Sequence, residues 1–201
     1  MSKKKILVIG TGGTITAKKV NGSWKAGELT EEQLLTFVPD LKDVADISTV
    51  TLFDIDSTNM QPSYWIKIAK TIKEKYDEYD GFVVTHGTDT MHYTASALSF
   101  LLQGLGKPVV LTGSQVIPSK VGSDAKRNVL DAVRVGASGE IHEVVIVFNT
   151  KILRGNRSKK FREVEFEAFE SIGMQPLGVI EHDIRHTGEH FNNKDGDLKV
   201  Y

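Results

Sequence analysis

The chain of 201 residues contains no cysteine, which removes disulfide staples, thiolate metal sites and thiol nucleophiles in one step. An excess of charge of one sign is also missing. Its 25 basic and 26 acidic residues leave a net charge of −1, so no field gathers nucleic acid or an anionic membrane surface. Long hydrophobic runs are absent too. The opening SKKKILVIG has the charged start of a secretory signal, but its apolar run from Ile6 to Ile9 is far shorter than the roughly 7–15 residues such a signal needs, and nothing later approaches the ~18–20 of a membrane span. There is no internal repeat and no low-complexity tract. These absences point to a cytoplasmic protein whose partner is a small molecule.

What is present suffices for a globular core, with 40% hydrophobic residues in one domain-sized chain. Short β-branched runs at 5–9, 49–53, 82–85, 108–112 and 144–148 alternate with longer helical patterns. They read as continuous Val/Ile/Leu stretches, as strands covered on both faces do. The fold expected is therefore α/β, a three-layer αβα arrangement around a largely parallel sheet. Helices are predicted at 62–79, with Trp65, Ile68, Ala69, Ile72 and Tyr76 on one face, and at 91–103, apolar nearly all round and so deeply buried. A third is predicted from Ser123 as N-cap, with Asp124 in its first turn, to Gly136. Residues 1–180 form the expected domain. Residues 181–201 turn polar, with an Asp-Gly signal at Asp195, and read as a linker or surface hairpin.

Each strand runs into a short polar loop, and such strand ends are where open α/β sheets bind ligands. The first carries TGGT (11–14). It lacks the third glycine of GxGxxG, since Ile15 stands there, and no GK[ST] follows, so it is neither a dinucleotide fingerprint nor a P-loop. A tight turn with structural hydroxyls explains it as well as a site does. After the third strand comes HGTDT (86–90), where Asp89 beside Thr88 can orient an amine or position a base, while His86 is best explained by satisfying backbone groups at the strand end. Residues 54–61 offer Ser57, Thr58 and Asn59, and 113–115 read GSQ. In RGNRSKK (154–160) the lysines would ordinarily be solvated. A lysine carried back to the threonines and desolvated could lose its proton and act as a general base.

Three patterns lead nowhere. Ser123 and Lys126 match SxxK without the companion motifs of a β-lactamase, and GASG (136–139) misses GxSxG by a residue. His182, His186 and His190 have the spacing for zinc on a helix, but Gly188 interrupts it and the glutamate of HExxH is absent.

Together TGGTI and HGTDT resemble the L-asparaginase family of bacteria and archaea, as do DSTNM at Ser57, PVVLTGSQ, SDAKRN and RGNRSKK, and the resemblance covers nearly the whole chain. It implies hydrolysis of L-asparagine to aspartate and ammonia, with L-glutamine accepted by some members, and without cofactor or metal. It further implies Thr14 as nucleophile on a mobile loop, with Thr88, Asp89 and Lys160 as the second catalytic group. Ser57, Thr58, Gly87 and Asp89 would hold the substrate's α-carboxylate and α-ammonium, and a backbone carbonyl at Ser114 would face the side-chain amide. Many members carry a tyrosine in the mobile loop, and the matching position here is Trp24, which has no hydroxyl. Full-length members continue for about another hundred residues into a smaller α/β domain. In a homodimer or homotetramer that domain, from a neighbouring subunit, closes the pocket. On this resemblance the chain is an isolated amino-terminal domain. The asparaginase-like subunit of archaeal Glu-tRNA(Gln) amidotransferase, which shares HGTDTMHYTA, and a binding module without turnover are the alternatives.

Overall fold

In the computed structural model, residues 2–13, 18–20, 23–25, 30–188 and 197–201 are described, with the backbone alone at 18–20, 23–25 and Glu31. The eight strands of the main sheet are β1 Lys4–Gly12, β2 Ala45–Ile55, β3 Gly81–Thr85, β4 Val109–Thr112, β5 Val144–Phe148, β6 Lys151–Arg154, β7 Gly178–Ile180 and β8 Ile184–His186. Their order across the sheet is β8-β7-β6-β5-β4-β3-β1-β2. The first five are parallel and β6, β7 and β8 antiparallel, so the expected mixed α/β fold with a largely parallel sheet is observed.

The alternation along each strand explains the layers. Ile6, Val8, Val83, Val110 and Val145 face one cluster with Val129, Ala132 and Val133 of α5 (Ala125–Ser138) and Leu34 of α1 (Glu31–Phe37). Leu7, Ile9, Phe82, Val84, Val109 and Leu111 face the other, with Ile68 and Ile72 of α3 (Pro62–Glu74) and Met91, Ala95 and Leu98 of α4 (Met91–Leu101). The single turn α2 (Leu41–Val44) leads into β2. Both faces of β1, β3, β4 and β5 are thus covered, which is why these segments carry no polar alternation, whereas the edge strand β2 is only partly buried and keeps Asp46, Ser48, Thr49, Thr51 and Asp54.

Several expected boundaries move. β1 runs through Gly12, so Thr11 belongs to the strand, and its Oγ1 donates to the Thr85 carbonyl of β3 (2.8 Å). β2 is also longer than expected, at Ala45–Ile55. α3 stops at Glu74, while the Tyr76 hydroxyl accepts from Gly106 N (2.6 Å) beyond its end. α4 is not buried all round. It exposes Tyr93 (58%) and Phe100 (65%), and residues 102–103, expected to continue it, pair instead with Lys199–Val200. At α5 the N-cap is Asp124, and the helix continues past Gly136 to a left-handed Gly139. Within the expected linker, Ile184–His186 pairs with β7 as an edge strand of the main sheet, whereas Asp195 and His190 lie outside the described residues. Among the described residues no helix is long and apolar enough to cross a membrane, and no three His, Cys, Asp or Glu side chains form a metal-ligand set.

Candidate active site

The parallel strands follow the order 2-1-3-4-5, so the chain reverses its direction of growth between β1 and β3. The loops leaving those two strands diverge there and leave a crevice at their carboxyl ends. Gly13 of TGGT follows the end of β1 and HGTDT leaves β3, which puts Gly13 and HGTDT at that crevice. The backbones come into contact. Gly13 has φ +83°, and a Cβ on it would lie 2.6 Å from Gly87 N, while a Cβ on Gly87 would lie 2.7 Å from the Ser57 hydroxyl oxygen. Glycine is required at both positions because backbone approaches backbone or side chain closer than a methyl group permits.

Thr88 is nearly buried, and two other chain segments bond its hydroxyl, through Lys160 and Gln115. Lys160 Nζ donates to Thr88 Oγ1 (3.2 Å), Asp89 Oδ1 (2.7 Å) and Glu163 Oε2 (3.0 Å). Its side chain is only 5% exposed, although it comes from the run that composition would assign to solvent. The reason is topological. β5 turns sharply at Asn149 and Thr150, both with positive φ, into β6. After the turn 155–157, the strand Ser158–Lys160 packs against α4 and ends beside the loop that precedes that helix. Burial pulls the Lys160 ammonium down, but the bonds and charges of Asp89 and Glu163 outweigh it and hold the group above the usual lysine range. Here Lys160 is thus a charged donor. The neutral base that desolvation alone would have produced is not the resting state.

His86 behaves as its strand-end position suggested. It is 1% exposed, and burial pushes its pKa down to about 4 against the opposing bond to Gly87. The direction of every bond follows from chemistry. Nδ1 contacts the Gly87 carbonyl (2.7 Å), which can only accept, so Nδ1 carries the proton. Nε2 then accepts from Thr94 Oγ1 (2.9 Å), which in turn accepts from Trp65 Nε1 (2.9 Å). This chain of bonds from α3 through α4 fixes the peptide between the motif's glycine and Thr88.

The other expected residues are distributed unevenly. Ser57 is buried against Gly87, on a 3-10 turn (Ser57–Asn59) whose Ser57 carbonyl accepts from Thr90 Oγ1 (2.7 Å). Thr58 is exposed on that turn, and both its N–H (2.9 Å) and its hydroxyl (2.7 Å) donate to Asp56 Oδ1. Asp56 therefore sits below the usual carboxylate range. Ser114, at the end of β4, is buried and its hydroxyl has no partner among the described residues. Thr14 lies outside the described residues, directly after Gly13, and Trp24 falls on the short strand Ser23–Lys25 whose side chains are not described. Of the zinc-spaced histidines, His186 bonds Glu140 Oε2 (2.6 Å) on the sheet edge.

Two site residues escaped the sequence reading, Gln115 and Glu163. Gln115 Oε1 accepts the Thr88 hydroxyl (3.0 Å) and Glu163 reaches Lys160. The only signal for the first was its place in the GSQ loop after β4.

A model of one family, described as Asparaginase, N-terminal, matches residues 5–191. The chain belongs to the asparaginase family. Among asparaginase relatives, L-asparaginase 1 of Escherichia coli K12 is 43% identical over 182 residues, covering 88% of this chain and 53% of the relative. A Glutamyl-tRNA(Gln) amidotransferase subunit from Saccharolobus islandicus is 38% identical over 191 residues, covering 89% of this chain and 42% of that protein. The crystal structure of L-asparaginase I from Vibrio cholerae superposes with a TM-score of 0.89 at 38% identity, covering 100% of this chain and 61% of that one. The chain thus spans about half the length of the curated asparaginase relatives it matches.

Proposed function

We propose that this chain carries the catalytic half of a cytoplasmic amidohydrolase that converts L-asparagine to L-aspartate and ammonia through a threonine acyl-enzyme. The observation that supports this best is the cluster of Thr88, Asp89 and Lys160 at the switch point, reached by the loop that carries Gly13 and then Thr14. In this reading one threonine Oγ forms a bond to the side-chain carbonyl carbon, and backbone amides at the loops or the start of α4 take the oxyanion. The hydroxyl's proton passes to the leaving nitrogen, the C–N bond breaks and ammonia departs. Water then cleaves the ester and returns a proton to the threonine. Lys160, charged at rest, stabilises negative charge beside Thr88 and moves protons only after giving one up. Asp89 holds the α-ammonium, with Ser57, Thr58 and Gly87 around the α-carboxylate and the Ser114 carbonyl at the amide. The same proposal includes a homodimer or homotetramer in which a smaller domain of the neighbouring subunit closes the pocket, so turnover by this chain alone is slow.

The test is ammonia release from L-asparagine by the chain, with a Thr14→Ala, Thr88→Ala double variant as control. Slow saturable release that disappears in the double variant is expected, and full activity there refutes the threonine chemistry. Saturable L-aspartate binding without turnover would reassign the chain as a binding module. The amidotransferase relative supports a second reading, which a glutaminase activity dependent on tRNA and a kinase-like partner would favour.

A further inference from the structure

The bonds around Thr88 assign the direction of its hydroxyl proton. Lys160 donates to Oγ1, which occupies one lone pair, so the proton points elsewhere. Gln115 Oε1 accepts it from 3.0 Å. The Gln115 amide cannot be reversed, because only its nitrogen can donate to the carbonyls of Glu163 (2.9 Å) and Glu165 (3.1 Å). Its backbone is clamped as well, since Gln115 N donates to both oxygens of Asp124 (3.1 and 3.0 Å) and Val116 N to one of them (3.0 Å). Asn128 Nδ2 ties Asp124 (3.0 Å) to the Gly113 carbonyl (2.9 Å).

We propose that Gln115 is a positioning residue that fixes the Thr88 hydroxyl, holding its proton away from Lys160 and leaving one Oγ1 lone pair free for the substrate. Its catalytic consequence rests on the amidohydrolase reading above. A tetrahedral hydroxyl oxygen has three directions besides its carbon. Gln115 takes one and Lys160 another, so the third is a lone pair whose direction is set before substrate arrives. Thr88 then meets the substrate as an oriented acceptor instead of a free rotor. Any step that passes its proton to Lys160 must first break the Gln115 bond. Residues 163–165 hold both partners of Thr88, because the Glu163 carboxylate meets Lys160 and the carbonyls of Glu163 and Glu165 hold Gln115.

Neutron diffraction from deuterated crystals of the chain tests the geometry directly. A deuteron on Thr88 Oγ1 directed at Gln115 and three on Lys160 Nζ are expected, and a Thr88 deuteron directed at Lys160 overturns the proposal. Gln115→Met, of similar volume but with neither acceptor nor donor, tests the role. It should lower kcat for L-asparagine about tenfold with KM within about threefold. An unchanged kcat overturns the role, as does a loss carried wholly by KM and Tm, which a merely structural tie would give. If the unmodified chain shows no amidase activity, the functional reading fails while the neutron result still decides the positioning of the hydroxyl.

Discussion

His86 gives the protein a pH-dependent stability that is calculable from its surroundings. It is buried, and its pKa lies near 4 against an ordinary 6.5, because burial disfavours the imidazolium. Protonation would also destroy the acceptor at Nε2 to which Thr94 donates. Between those two values the unfolded chain binds a proton that the folded chain does not, so stability rises with pH there. The contribution is complete above about pH 6.5, declines as pH falls, and is exhausted below about pH 4. Its full size is about 3 kcal/mol, of which about 2 kcal/mol has gone by pH 5. Urea unfolding of the chain and of His86→Gln, followed by tryptophan fluorescence between pH 7.5 and 3.5, measures it. The stability difference between the two should shrink by that amount across the window and be flat outside it. His92, also lowered by burial and by Lys159 and Lys160, titrates in both proteins and cancels. Asp56 and Asp80, both lowered, contribute stability that is lost only as pH falls below the ordinary carboxylate range, and they cancel likewise. A difference that does not vary with pH would refute the assignment of a neutral, buried His86.

Gly13→Ala, which sets a Cβ at 2.6 Å from Gly87 N on a backbone at φ +83°, should cost about 1–3 kcal/mol in thermal unfolding and depress asparagine turnover by separating the loops. Lys160→Met should lower kcat by about 10²–10⁴-fold while leaving Tm within a few degrees, because Asp89 and Glu163 are exposed enough to be solvated without it. Asp131→Ala should destabilise by about 2 kcal/mol in urea unfolding, since the carboxylate is 1% exposed between Arg127 (2.6 Å) and Arg134 (3.3 Å) and both would lose their counter-charge, keeping only bonds to backbone carbonyls.

The sequence made β1, β3, β4 and β5 and the helices between them visible because both faces of those strands are covered, which leaves continuous apolar runs, whereas only the middle of the half-buried edge strand β2 stood out. Three-residue strands were invisible for the opposite reason. Ser158–Lys160 and Ile184–His186 owe their conformation to partners at Phe169–Ser171 and Gly178–Ile180, and no periodicity fits into three residues. In α4 the apolar side chains exceed what its buried stripe needs, so Tyr93 and Phe100 are left outside and composition overstates the burial of the helix. Thr88, Asp89 and Lys160 could be named from the motifs, but the charge state of the lysine could not. It depends on desolvation being outweighed by Asp89 and by Glu163, three residues further on, whose approach to Lys160 no motif records. Gln115 was harder still. Its function lies in bonds to carbonyl groups, which every residue possesses, so the side chains of 163–165 announce nothing.

These differences arise from how the site is built. The motif glycines at 13 and 87 specify how closely two strand ends approach, a property of backbone that short sequence patterns record well. The protonation and hydroxyl geometry at Thr88 are specified elsewhere, by a hairpin at 149–150 that sends the chain back along α4 and by the segment at 163–165. Sequence changes there can retune the threonine without touching either motif. Two chains with identical TGGT and HGTDT loops keep Asp89 beside the lysine but can differ in the added hold of residue 163 and in the direction of the Thr88 proton, so the residues to compare between them are 115 and 163.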